Sequence, residues 1–112
     1  MGYKGVVQKG QEQGQKMGFP TINIPLEGED VSGIFVAAVF IDGKEYRAAA
    51  YANVPRKILE AHLLDFSGDL YGKEVEIELL EKIRDTEKFS DETSLEAAIM
   101  ADVAKVREYR KN

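Results

Sequence analysis

The 112-residue chain contains no cysteine. A disulfide framework, a thiol nucleophile and a cysteine zinc site are therefore excluded, and a cytoplasmic setting is the compatible one. No apolar run approaches the roughly 18 residues of a membrane span. The N-terminus, Met1-Gly2-Tyr3-Lys4-Gly5, does not lead into the apolar stretch of a signal peptide, so a soluble chain is expected, with no membrane partner. Positive charge is also in deficit. Fifteen Lys and Arg against 20 Asp and Glu give a formal charge of −5, which speaks against the basic stripe of a nucleic-acid binder. Any phosphate ligand must be met by local cations, of which Lys9, Lys16, Arg84 and Lys88 are the candidates.

Hydrophobic residues make up 44% and charged residues 31% of the sequence, the balance of an ordinary globular protein. The length suits one core, and a single domain over residues 1–112 is expected, with a monomer as the expected state. Up to residue 83 the chain reads as short strands parted by turn signals, the pattern of an antiparallel barrel or sandwich. The predicted strands are 3–8, 21–24, 33–41, 44–51, 59–66 and 75–83, with 59–66 and 75–83 read as a neighbouring pair. Asp42-Gly43 is a hairpin signal. Along 75–83, Val75, Ile77 and Leu79 alternate with Glu74, Glu76 and Glu78, which predicts a half-buried strand with a wet face. Residues 33–41 are apolar enough to be covered on both faces.

After Phe89 the period changes. Leu95, Ile99, Val103 and Val106 form one stripe of a helix predicted over 93–109, with Thr93 and Glu96 as its capping box. The whole therefore predicts a small closed, Greek-key-like antiparallel β-barrel of about six strands with a C-terminal α-helix packed on it.

The segment Gly18-Phe19-Pro20-Thr21-Ile22-Asn23 carries the most chemical information. In an extended strand, residues two apart project to the same side. Thr21 and Asn23 can thus offer two neutral oxygens to one Mg²⁺, a hard cation that prefers oxygen ligands. The plainer alternative is a loop entering a strand, with Gly18 and Pro20 as turn residues. The preceding stretch, 9–17, is rich in Gly and Gln and lacks apolar periodicity, so it reads as a mobile lid. Further on, Glu60 shares a predicted strand face with His62, Leu64 and Phe66, while Leu59, Ala61 and Leu63 take the other. A carboxylate on such a face is costly without a use or a partner. A rim glutamate reaching solvent is the alternative, and His62 reads as a hydrogen-bonded structural residue.

Four motifs follow one another: the Gly18 to Asn23 segment, Glu60-Ala-His-Leu-Leu-Asp-Phe66, Gly68-Asp-Leu-Tyr-Gly-Lys73 and Ile83-Arg-Asp-Thr-Glu-Lys-Phe89. In that order, from about Gly5 to Tyr109, they resemble the riboflavin kinases, in particular the kinase half of bacterial bifunctional riboflavin kinase/FAD synthetases. The resemblance implies an ATP:riboflavin 5′-phosphotransferase making FMN and ADP from riboflavin and Mg-ATP. It implies Glu60 as catalytic base on the terminal ribityl hydroxyl. It further implies Gly10 and Lys16 as flap contacts to the ATP phosphates, Thr21 and Asn23 as ligands of Mg²⁺ and phosphate, and Leu63, Asp65 and Tyr71 around the nucleotide base and sugar. Arg84 and Phe89 fall on a second flap at the flavin end. Arg84 could instead end a strand, and Phe89 could be the hydrophobic staple of the helix.

Two departures from the family pattern stand out. The loop 53–57 before the Glu60 strand is short, and Gln11, Gln13 and Gln15 replace residues that are often basic. No adenylyltransferase segment accompanies the kinase motifs, so taken by itself the chain is expected to stop at FMN. The alternatives are a catalytically weak or inactive flavin- or nucleotide-binding module on the same barrel, and a barrel used for single-stranded nucleic acid, a common occupation of small barrels.

Overall fold

The computed structural model describes residues 2–8, 20–27 and 31–109. Six strands precede one helix: β1 (Gly2–Val6), β2 (Thr21–Pro25), β3 (Gly33–Ile41), β4 (Lys44–Asn53), β5 (Ile58–Leu63), β6 (Glu74–Arg84) and α1 (Glu92–Glu108). All pairings are antiparallel, in the order β1-β6-β3-β4-β5-β2. The edge strands β1 and β2 meet, so the sheet is a barrel that is nearly, rather than fully, closed. At the seam the Gln8 N–H donates to the Asn23 carbonyl at 2.7 Å. A Cβ on Gly5 would lie 3.0 Å from Ile24 Cβ, so the absence of a side chain lets the two edges approach.

Strand alternation divides inside from outside. Ile22, Ile24, Leu59, Ala61, Leu63 and Ile77 point into the barrel with the small side chains Ala48, Ala50 and Ala52 of β4. The predicted alternation along β6 holds: Val75 and Ile77 are buried while Glu74 is exposed and Glu76 half-buried. Strand β3 is covered on both faces, as its composition predicts. Ala37, Val39 and Ile41 face the barrel core, whereas Val36 joins Ala49, Leu64, Ile99, Val103 and Val106 under α1. Asp42 and Gly43 take φ values of 51° and 81°, the two left-handed residues of a tight hairpin.

Three expectations need correction. Strands β5 and β6 are not neighbours: β5 lies between β4 and β2, and β6 between β3 and β1. Strand β5 ends at Leu63, because Asp65 turns the chain with φ 58°. Phe66 therefore leaves the Glu60 face and packs edge-on to Tyr46, ring centroids 5.1 Å apart, beside the barrel core. The helix is capped by Asp91 rather than by Thr93: its carboxylate accepts the Ser94 N–H at 2.7 Å. An aspartate is as good a cap as threonine, and the helix starts two residues earlier than the capping-box pattern indicates. No helix among the described residues is long and apolar enough to cross a membrane.

Candidate active site

A cleft of about 870 Å³ opens between the outer faces of β4 and β5, the N-terminal half of α1, and the segment 85–91 that joins β6 to the helix. Its floor follows from the alternation just described. Because Leu59, Ala61 and Leu63 face the core, Glu60 and His62 must face outward, and they form the cleft wall with Tyr51 of β4. Glu60 is 8% exposed and His62 7%.

Burial dominates their titration. Loss of solvent pushes the Glu60 carboxyl above its ordinary value, with the positive charge of Arg56 opposing the shift. Loss of solvent lowers His62, partly offset by Asp102. The Tyr51 phenol is raised by burial and then by the Glu60 charge, with Arg84 acting the other way. A carboxylate held out of water, with its pKa raised, is suited to accept a proton.

Strand β2 lies beside β5 with Thr21 opposite His62 and Asn23 opposite Glu60. Ile22 and Ile24 are core residues, so Thr21 and Asn23 share the outward side with Glu60 and His62. Thr21 Oγ1 and His62 Nδ1 are 3.1 Å apart in a buried hydrogen bond whose direction follows the imidazole tautomer. When the hydroxyl donates to Nδ1, its oxygen lone pairs are left for a cation. Among the described residues no cluster of three or more His, Asp or Glu could hold a metal by itself. Two neutral oxygens fit an ion that takes its remaining ligands from phosphate and water, which is the habit of Mg²⁺.

At the opposite end Arg84 leaves β6 and enters the cleft wall. Its Nε and Nη2 each donate to an oxygen of Asp102 at 2.9 Å, and Nη1 donates to the Asp85 carbonyl at 3.3 Å. The Phe89 ring lies 5.8 Å from its Cζ. The hydrogen bond that Arg84 donates to Asp102 raises the Arg84 pKa further, so the guanidinium stays charged.

The structure thus brings Glu60, Arg84 and Phe89 to one cleft, with Thr21 reaching it through His62 and Asn23 placed beside Glu60 in the ladder. It does not bring Leu63, Asp65 and Tyr71 there. The Leu63 side chain is fully buried inside the barrel. Asp65 is exposed, 3.7 Å from Arg107, and Tyr71 is 60% exposed on the turn before β6. Gly10 and Lys16 lie outside the described residues. Tyr51, Arg56 and Asp102 line the cleft and are not among the site residues read from the sequence. Only Asp102 leaves a signal, a carboxylate set within the apolar stripe of a helix.

Comparison with known proteins gives the family. The flavokinase profile, described as riboflavin kinase, matches residues 1–110. The chain is 35% identical over 112 residues to the bifunctional riboflavin kinase/FMN adenylyltransferase of Pseudomonas fluorescens, covering 92% of this chain and 36% of that protein. With the Escherichia coli K12 protein of the same description, identity is 36% over 115 residues, covering 94% and 36%. The chain therefore spans only about a third of the length of these relatives. Riboflavin kinase from Trypanosoma brucei superposes with a TM-score of 0.65 at 27% identity, over 96% of this chain and 77% of that one. A Streptococcus pneumoniae protein described as a macrolide-efflux protein gives 0.82 at 29% identity, over 97% and 39%. The nearly closed barrel, the cleft beneath its helix and a profile match along almost the whole chain lead to one conclusion: this chain belongs to the flavokinase (riboflavin kinase) family.

Proposed function

We propose that this chain transfers the γ-phosphoryl group of ATP to the 5′-hydroxyl of riboflavin, yielding FMN and ADP, with Glu60 as general base. The observation that carries the reading is a buried, proton-seeking carboxylate in a cleft, one strand away from two neutral oxygens on the same face. Phosphoryl transfer asks little covalent chemistry of a protein and much positioning. Thr21 and Asn23 would hold Mg²⁺, which when bound supplies charge compensation to the triphosphate. Glu60 accepts the hydroxyl proton as the oxygen attacks. Phe89 offers a ring face to the isoalloxazine, and Arg84 offers donors to its carbonyl oxygens.

The test is to incubate the purified chain with riboflavin, ATP and Mg²⁺ and to resolve the flavins by chromatography. FMN is expected from the parent chain, and Thr21→Ala should raise the Mg-ATP requirement. Glu60→Gln should lower kcat by about 10² to 10⁴-fold, the usual contribution of a general base. Full activity in Glu60→Gln would remove Glu60 from the mechanism, and riboflavin binding without FMN in the parent would favour the binding-module alternative.

A further inference from the structure

Helix α1 presents Ile99, Val103 and Val106 to the barrel, and within that stripe sits a carboxylate, Asp102, only 5% exposed. Burying an ion pair is an inefficient way to seat a helix. Asp102 is desolvated while Arg84 stays partly exposed, so the cost of burying the carboxylate offsets much of an attraction that solvent already screens. Attachment of α1 therefore does not account for the Arg84–Asp102 contact. Its geometry does. The side-on pairing through Nε and Nη2, together with the Nη1 bond to the Asp85 carbonyl, occupies three of the five guanidinium N–H groups and fixes the plane. The two remaining N–H groups, one on each Nη, belong to a side chain that lines the cleft, with Phe89 against it. The same contact ties the start of segment 85–91 to the middle of α1, so that both sides of the cleft end are held together.

We infer that Asp102 is a positioning residue for the flavin: from α1 it holds the Arg84 guanidinium, and through it Phe89, as one preformed wall of the riboflavin site. The inference rests on the riboflavin kinase reading given above. In this role Asp102 acts through Arg84. Its effect should fall on riboflavin affinity and leave the nucleotide end, where Thr21 and Asn23 lie, largely untouched. Asparagine at this position has one acceptor oxygen, and its amide would oppose one of the two guanidinium donors, so the fork is lost while the shape is kept.

The experiment measures riboflavin binding by fluorescence quenching in the absence of ATP, together with kcat and both KM values. For Asp102→Asn the riboflavin Kd and KM should rise about tenfold, on the scale of one charge-assisted hydrogen bond, with the ATP KM changed less than about twofold. Asp102→Glu should recover part of the loss. Arg84→Ala and Asp102→Ala should be non-additive, the double variant binding riboflavin no worse than the weaker single one. Unchanged riboflavin binding in Asp102→Asn, or an equal rise in both KM values, overturns the inference. If Asp102 variants do not fold, Arg84→Lys, at a partly exposed position, must reproduce the selective loss of riboflavin, and its failure to do so overturns the inference equally. A parent chain that binds no riboflavin overturns the kinase reading itself, whereas a parent that makes FMN beside an unaffected Asp102→Asn overturns only the role of Asp102.

Discussion

At the scale of single residues, Glu60 links stability to the proposed activity. Its raised pKa means that the folded chain binds a proton more tightly than the unfolded chain does. Stability from this group is therefore greatest below the ordinary glutamate value of 4.5 and is lost as pH rises through the folded pKa. Glu60→Gln removes that penalty, and thermal melts should show it more stable than the parent at pH 8, with no gain at pH 4. The same shift places the acid limb of kcat/KM above 4.5. Because Arg56 opposes the shift, Arg56→Ala should move that limb further up, and a pH-rate profile checks it. An unmoved limb would show that another group titrates. The alternation of residues 59–63 reveals Glu60 and His62 together, since a strand's period is local. Tyr51 and Arg56 join them only through the pairing of β4 with β5 and the turn between the two, which no local pattern encodes.

At the scale of elements, the end of β6 is placed by β3. Gly33 has φ 108°, and a Cβ there would lie 2.6 Å from Lys82 Cε and 2.8 Å from the Arg84 carbonyl. The lysine tip can move; the carbonyl cannot without shifting Arg84. Gly33→Ala should cost about 1–3 kcal/mol by denaturant unfolding from backbone strain, and should weaken riboflavin binding more than ATP binding. At the other end of the same connection, Asp91 caps α1, and its carboxyl is held low by the Ser94 N–H and then the Ser94 hydroxyl. Asp91→Ala should lower the melting temperature and Thr93→Ala should not, which separates the observed cap from the one the capping-box pattern indicates. Both Thr93 with Glu96 and Asp91 with Ser94 satisfy the spacing of a helix start. The Asp91 carboxylate, which accepts the Ser94 N–H, marks the earlier start.

At the scale of the whole molecule, closure is the weak feature of the barrel. Strands β3 and β4 have hydrogen-bonded neighbours on both sides, while β1 and β2 each have one ladder and meet at the seam. Amide exchange should therefore be slowest in β3 and β4 and fastest among the strands in β1. Equal protection around the barrel would show the seam to be as cohesive as a ladder. The seam also borders Asn23, whose carbonyl pairs with the Gln8 N–H directly before the stretch read as the lid. Gly5→Val should open it, since a branched side chain must displace Ile24, and weaker Mg-ATP binding would register the displacement of Asn23.

Sequence alone determined the fold class, most strand positions and the helix, because these rest on short-range periodicity and on ordered motifs that resemble one family. Strand neighbours and the composition of the cleft were decided only in three dimensions. Residues 64–73 carry the chain from β5 to a strand that pairs elsewhere, and Arg84 meets Asp102 across 18 positions of sequence. Such contacts depend on which faces remain uncovered once the core has formed, and that is a property of the packed barrel rather than of any one segment.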